Sequence, residues 1–212
     1  MIAQGVIKEV SDGFVTIVAP VDKEYLIDKQ DITECEVRFD DGRTITSEQR
    51  KKAYALINDI AEWSGHLPEP LKEYFKFDYM SKTGCDYFSL SDCDMTTARD
   101  YISNLIDFCF MWSVPTKDTL LNRTDDIGKY LYQCLVHRKC AVCNQKADIH
   151  HVTGSRVGMG FNRNQISHLG RNAIALCRVH HQEAHQSERA FFDKYHLYGI
   201  SLDDYLLKKL NL

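Results

Sequence analysis

Between Cys140 and His185 the chain reads CAVCNQKADIHHVTGSRVGMGFNRNQISHLGRNAIALCRVHHQEAH. Three of its eight cysteines lie there (Cys140, Cys143, Cys177), with six of its nine histidines (His150, His151, His168, His180, His181, His185). Two residues separate Cys140 from Cys143, so a tight turn lets both sulfurs reach one ion. Cys177 and His180 repeat that spacing and complete a Cys3His set, a normal ligand set for structural zinc. His181 competes with His180 as the fourth ligand. His180 keeps the two-residue spacing and leaves His181 four residues before His185, on one helix face with it. His150 and His151 remain, just upstream of a loop holding Gly154, Gly158 and Gly160. Two ligand groups suggest one ion that holds the fold and a second that does chemistry.

Elements must position these groups. The 212 residues suit one large domain or two to three small ones, and 44% hydrophobic with 26% charged residues is a globular composition. No apolar run reaches the ~18 residues of a membrane span. The N-terminus MIAQGVIKEV lacks a basic segment followed by an apolar core. A cytoplasmic location is therefore expected. The cysteines then read as thiols and metal ligands rather than disulfides. The net charge of −4 is unevenly spread. From residue 137 onward there are eleven Lys and Arg against six Asp and Glu, and no acidic residue falls between Asp148 and Glu183. Arg156, Arg163, Arg171 and Arg178 lie in that acid-free stretch and are the candidate DNA contacts, since a polyanion meets no like charge there.

The expected fold is α+β in three parts. Residues 1–46 form a small β unit: GVIKEV and FVTIVAP flank the turn signal SDG, and ECEVRFDDGRTIT alternates around Asp41-Gly42. Cys35 within it reads as a buried apolar residue. Residues 47–128 form a helical unit. Ser47 caps SEQRKKAYALINDIAEWSG, LPEPLKEYFKFDYMSKTG follows, and Ser91 or Asp94 caps MTTARDYISNLIDFCFMWS. Tyr101, Ile102, Leu105, Ile106, Cys109 and Phe110 make the last helix central to a core. A polar stretch at 113–128 reads as a linker or domain edge. Residues 129–212 then carry the ligand-rich region and two closing helices, the last capped by Ser201.

The ligand-rich region resembles the HNH, or ββα-metal, nuclease superfamily over about residues 137–190. In that family a hairpin carries a metal ligand beside the general-base histidine, a loop carries an asparagine, and a helix carries further ligands. The resemblance implies that His150 is a ligand and His151 the base. Asn172 is the loop residue that orients it, with His168 as the alternative. His181 and His185 are the helix ligands. The Cys140, Cys143, Cys177 and His180 set matches the zinc knuckles many such proteins carry, with His180 where a fourth cysteine is commoner. Twenty residues separate His151 from Asn172, a long interval for the family.

That resemblance implies divalent-metal hydrolysis of DNA, leaving 5′-phosphate and 3′-hydroxyl ends. A structural Zn2+ and a catalytic Mg2+, Mn2+, Ni2+ or Zn2+ are the implied cofactors; imidazole ligands do not choose among them. The whole chain also resembles HNH nucleases of phages and prophages of Gram-positive bacteria. Its helical part resembles phage recombination-mediator proteins, which implies single-stranded DNA or a single-strand-binding protein as partner and duplex or branched DNA as substrate. Self-association stays open, and no membrane partner is expected. A zinc-binding adaptor without catalysis would need only four ligands and would leave His150, His151, His181 and His185 without a task.

Overall fold

In the computed structural model, residues 5–20, 37, 42–155 and 167–212 are described below. Cys35, most of the stretch expected to turn at Asp41-Gly42, Gly158, Gly160, Arg156 and Arg163 lie outside them. The described residues form an α+β fold with eight helices and two small sheets.

The N-terminal hairpin pairs β1 (Val6–Ser11) with β2 (Phe14–Val18), Val6 opposite Val18 and Ser11 opposite Phe14. Asp12 and Gly13 turn it with φ of 50° and 83°, the two positive values a type I′ turn requires. The segment after the undescribed residues runs to the helices. Thr44 bridges Asp94, and the Ile45 N–H donates to the Cys93 carbonyl at 2.7 Å, which buries Ile45.

Three long helices follow. Thr46, one residue before the expected cap, starts α1 (Ser47–Ser64): its hydroxyl accepts from the Gln49 N–H while the Gln49 side chain accepts from the Thr46 N–H. Two N-terminal donors are thereby satisfied reciprocally. Gly65, in the left-handed region, ends the helix. Pro68 begins α2 (Pro68–Thr83), because its fixed φ suits the first turn of a helix. Asp94 caps α3 (Met95–Trp112). The apolar stripe from Tyr101 to Phe110 is buried as its spacing predicts, against Ala53, Leu56, Ile57 and Ile60 of α1.

The polar stretch 113–128 is a packed connection. It contains α4 (Leu120–Arg123) and is pinned on two sides. Gln49 Nε2 donates to Asp125 at 2.7 Å and Lys52 Nζ to the Thr124 carbonyl at 2.7 Å, while the Leu120 N–H donates to Asn144 Oδ1 at 2.8 Å. Next, α5 (Ile127–Val136) lies between α3 and the second sheet, with Tyr130, Leu131, Cys134 and Leu135 buried. One hydrophobic cluster therefore runs from Ile45 to Leu210.

The second sheet orders β3 (Asp148–His151), β4 (Asn172–Leu176) and β5 (Ile200–Ser201), all antiparallel. The central strand is buried from Ala173 to Leu176 on both faces, and its alanines leave room for helices to approach. Gly199 permits β5 to close on the sheet: a Cβ there would lie 2.5 Å from Val152 Cγ2. After β4 come α6 (Arg178–Gln186) and α7 (Glu188–Tyr195). The last helix, α8 (Asp204–Leu210), packs on α5 through Leu206 and Leu210. Asp203 is its cap; the expected cap, Ser201, belongs to β5. No described helix is long and apolar enough to cross a membrane.

Candidate functional site

The first cluster grows from a turn at the end of α5. Lys139 bridges Lys146, and the Cys140 N–H donates to the Gln145 carbonyl at 2.7 Å. Asn144 takes the left-handed conformation, φ 59°, which Asn tolerates better than most residues. Its amide donates to the Tyr130 hydroxyl at 2.8 Å, and that hydroxyl donates to the Ala141 carbonyl at 2.8 Å. The Ala141 N–H reaches the Ala175 carbonyl of β4. Cys140 and Cys143 are thus set between α5 and the sheet.

Cys177 caps α6, so His180 falls on the first turn of that helix. Successive helix residues are rotated by about 100°, so His180 and His181 cannot face the same point. His180 turns to the cysteines: its Nδ1 lies 3.1 Å from Cys177 Sγ and 3.4 Å from Cys140 Sγ, and Cys143 Sγ is 3.7 Å from Cys177 Sγ. A tetrahedral zinc with ordinary bond lengths would give S–S edges of about 3.8 Å and S–N edges of about 3.5 Å. The four side chains form a group that can hold a zinc ion.

Electrostatics fit a cation there. Burial pushes the Cys140 thiol up to about 12 and raises that of Cys143. Burial also opposes ionisation of Cys177, but the backbone N–H of His180 and its thiol neighbours outweigh it and lower its pKa. A thiol as buried as that of Cys140 becomes thiolate only with a cation to balance it. Phe191 and Tyr195 of α7 lie over His180, with ring centroids 6.4 and 5.7 Å away. These aromatics cover the cluster on that side.

The second cluster joins β3 to α6. His150 is buried to 1% exposure and stands opposite Ile174 in the hairpin. Its ring lies 4.8 Å from that of His181 and 5.0 Å from that of His185, centroid to centroid. His181 and His185 stack at 4.8 Å along one face of α6. One ring nitrogen from each of the three lies within 4.8 Å of the others. An ion about 2.1 Å from each would hold them roughly 3.4 Å apart, so binding one would draw the three rings together. Burial, then the neighbouring rings of His150 and His185, lower the pKa of His181. That favours the neutral imidazole a metal requires.

His151 follows on the strand and lies opposite Ala173. Its Nε2 is 3.1 Å from Nδ1 of His168, which is itself buried. Among the described residues the ring of His151 thus meets His168, the alternative to Asn172. Asn172 lies in β4, where its main chain binds Ser155 Oγ and the Val152 N–H; both backbone groups are thus committed. Arg171, expected on DNA, donates from Nε to the Ser167 carbonyl and from a terminal nitrogen to the Ser155 carbonyl. It fastens the two ends of the segment between them. Arg178 is 90% exposed at the start of α6, 2.9 Å from Asp148. Arg156 and Arg163 lie outside the described residues.

One contact was not foreseen from sequence. Glu188 Oε1 sits 2.9 Å from His150 Nε2, and both carboxylate oxygens accept from the Thr153 N–H, at 3.1 and 2.9 Å. The residues are 38 positions apart in one pair and 35 in the other, so no local pattern carried the signal.

A family model described as "Putative HNHc nuclease" matches residues 19–212, nearly the whole chain. No curated protein and no solved structure matches it.

Proposed function

The chain belongs to the HNHc nuclease family, and on that premise we propose that it is a metal-dependent DNA endonuclease. One observation carries the reading. Three imidazoles from β3 and α6 converge beside a separate Cys3His group, with a fourth histidine next to the trio. An adaptor would need the Cys3His group alone.

In this reading Cys140, Cys143, Cys177 and His180 hold a structural zinc. His150, His181 and His185 hold the catalytic divalent ion, and neutral imidazoles leave it nearly its full charge. When bound, that ion supplies Lewis-acid polarisation of a phosphoryl oxygen and stabilisation of the departing 3′ oxygen. His151 takes the proton of the attacking water. Its Nε2 lies 3.1 Å from Nδ1 of His168, a contact that orients the ring for that transfer. Imidazole titrates near neutrality, which suits it to that task. The 5′-phosphate and 3′-hydroxyl ends follow if the bond to the 3′ oxygen is the one that breaks. Arg178 supports phosphate binding: its ion-pair partner Asp148 is half-exposed, and an exposed ion pair of this kind costs little to exchange. Action on recombining or branched phage DNA, beside single-stranded DNA or a single-strand-binding protein, is the context we assign from the sequence resemblance.

The test is cleavage of linear, nicked, single-stranded and branched DNA with Mg2+, Mn2+, Ni2+ or Zn2+, alongside a metal count. Two ions per chain and divalent-dependent cleavage are expected. His151→Ala should lose at least 10²-fold in rate, the usual scale for a general base, with folding and metal content retained. Cleavage at the wild-type rate in that variant removes His151 as base. Absence of nicking of every substrate, with one zinc bound, leaves the adaptor reading.

A further inference from the structure

We propose that Glu188 is the positioning carboxylate of the three-histidine site, fixing which nitrogen of His150 is offered to the ion. The inference rests on reading that trio as a metal centre and deepens it.

An imidazole offers a lone pair from one nitrogen only when the proton sits on the other. His150 is almost wholly buried, so water cannot decide between its tautomers. Glu188 can. Its Oε1 lies 2.9 Å from Nε2, and a carboxylate at that distance accepts a proton-bearing nitrogen. The proton is therefore held on Nε2, and Nδ1 is the nitrogen left to serve as ligand. The same hydrogen bond orients the ring and raises its basicity.

The carboxylate is itself well held. It is the first residue of α7, where a helix N-terminus favours negative charge. Both its oxygens accept from Thr153 at the exit of β3, so the ring and the strand that carries it are gripped together. The other end of α7 is fixed on the zinc cluster by Phe191 and Tyr195, packed on His180. One short helix thus rests on the structural group and reaches the other site.

A mere fold clasp would hold Thr153 and leave ion affinity alone. The discriminating experiment titrates the full chain with Co2+. Thiolate charge-transfer bands report the Cys3His group, and ligand-field bands with calorimetry report the histidine site in the same sample. Glu188→Ala should weaken the histidine site about 10- to 100-fold and leave the thiolate bands unchanged. Glu188→Gln, whose amide oxygen can still accept from Nε2, should fall between it and the wild type. If Glu188→Ala does not fold, the Gln variant decides by the same measure. Wild-type affinity in a folded Ala or Gln variant, whatever the change in melting temperature, overturns the proposal. Failure of the wild-type histidines to take any ion would overturn it together with the nuclease reading. That outcome is distinct from an ion bound equally well with and without Glu188.

Discussion

His151 shows how one hydrogen bond separates candidates that spacing could not. Asn172 and His168 were both available from sequence to orient the proposed base, and of the two His168 meets its ring, at 3.1 Å. Loss of the His168 imidazole removes a contact that orients the His151 ring, so His168→Ala is expected to lower kcat about 10- to 100-fold, the scale of lost outer-shell partners, with KM little changed. Asn172→Ala keeps the main-chain bonds to Ser155 and Val152 and should cost far less. Steady-state cleavage kinetics of the two variants check this; equal losses would remove His168 as the orienting residue. The Cys140, Cys143, Cys177 and His180 set was legible because each half is a short local spacing of residue types that ligate zinc. Glu188 was not, because a carboxylate at the start of a helix looks like any capping charge until the fold brings it to His150.

At the scale of elements, local chemistry predicted most helices and fewer of their ends. Gly65, Asp94 and the apolar stripe of α3 behave as propensity and periodicity require. The cap of α1 moved by one residue, since Thr46 and Ser47 both carry hydroxyls and only the position three before Gln49 completes the reciprocal pair. Strand β4 was hidden: its residues are buried on both faces, and a strand covered twice shows no alternation. Asp94 gives an element-level test. Burial works against its charge, but bonds from Thr97 and neighbouring N–H groups outweigh this and hold its carboxyl below the ordinary 3.8. A depressed folded-state pKa means the stabilisation is fully present above 3.8 and is lost as pH falls through the folded value. Asp94→Ala should cost about 1 kcal/mol at neutral pH. The gap to the wild type should hold down to about pH 5 and narrow as Asp94 is protonated below it. Denaturant unfolding across that range measures the gap, and a gap that widens in acid would contradict the cap's charge as its source.

For the whole molecule, the question is whether the two ligand groups and the helices stand or fall together. The sequence suggested separable parts, with a polar boundary at 113–128, because charge and turn residues mark surfaces whether or not a core passes beneath them. Beneath this one it does. Asn144, next to Cys143, binds both Leu120 and Tyr130, and Ala141 ties the turn to β4. The cluster of buried side chains is continuous from the first long helix to the last short one. Structural zinc binding is folding free energy, so loss of a thiolate should not be confined to its own turn. Cys140→Ser is expected to unfold the C-terminal region and, through α5 and Asn144, to destabilise the helical part in the same transition. Calorimetry should give one cooperative peak for the wild type and a single peak at markedly lower temperature for the variant, and a strong chelator should reproduce the shift. Two resolved peaks, with the upper one unmoved, would mean the shared core does not couple the parts. An unchanged profile would mean that Cys140 holds no ion.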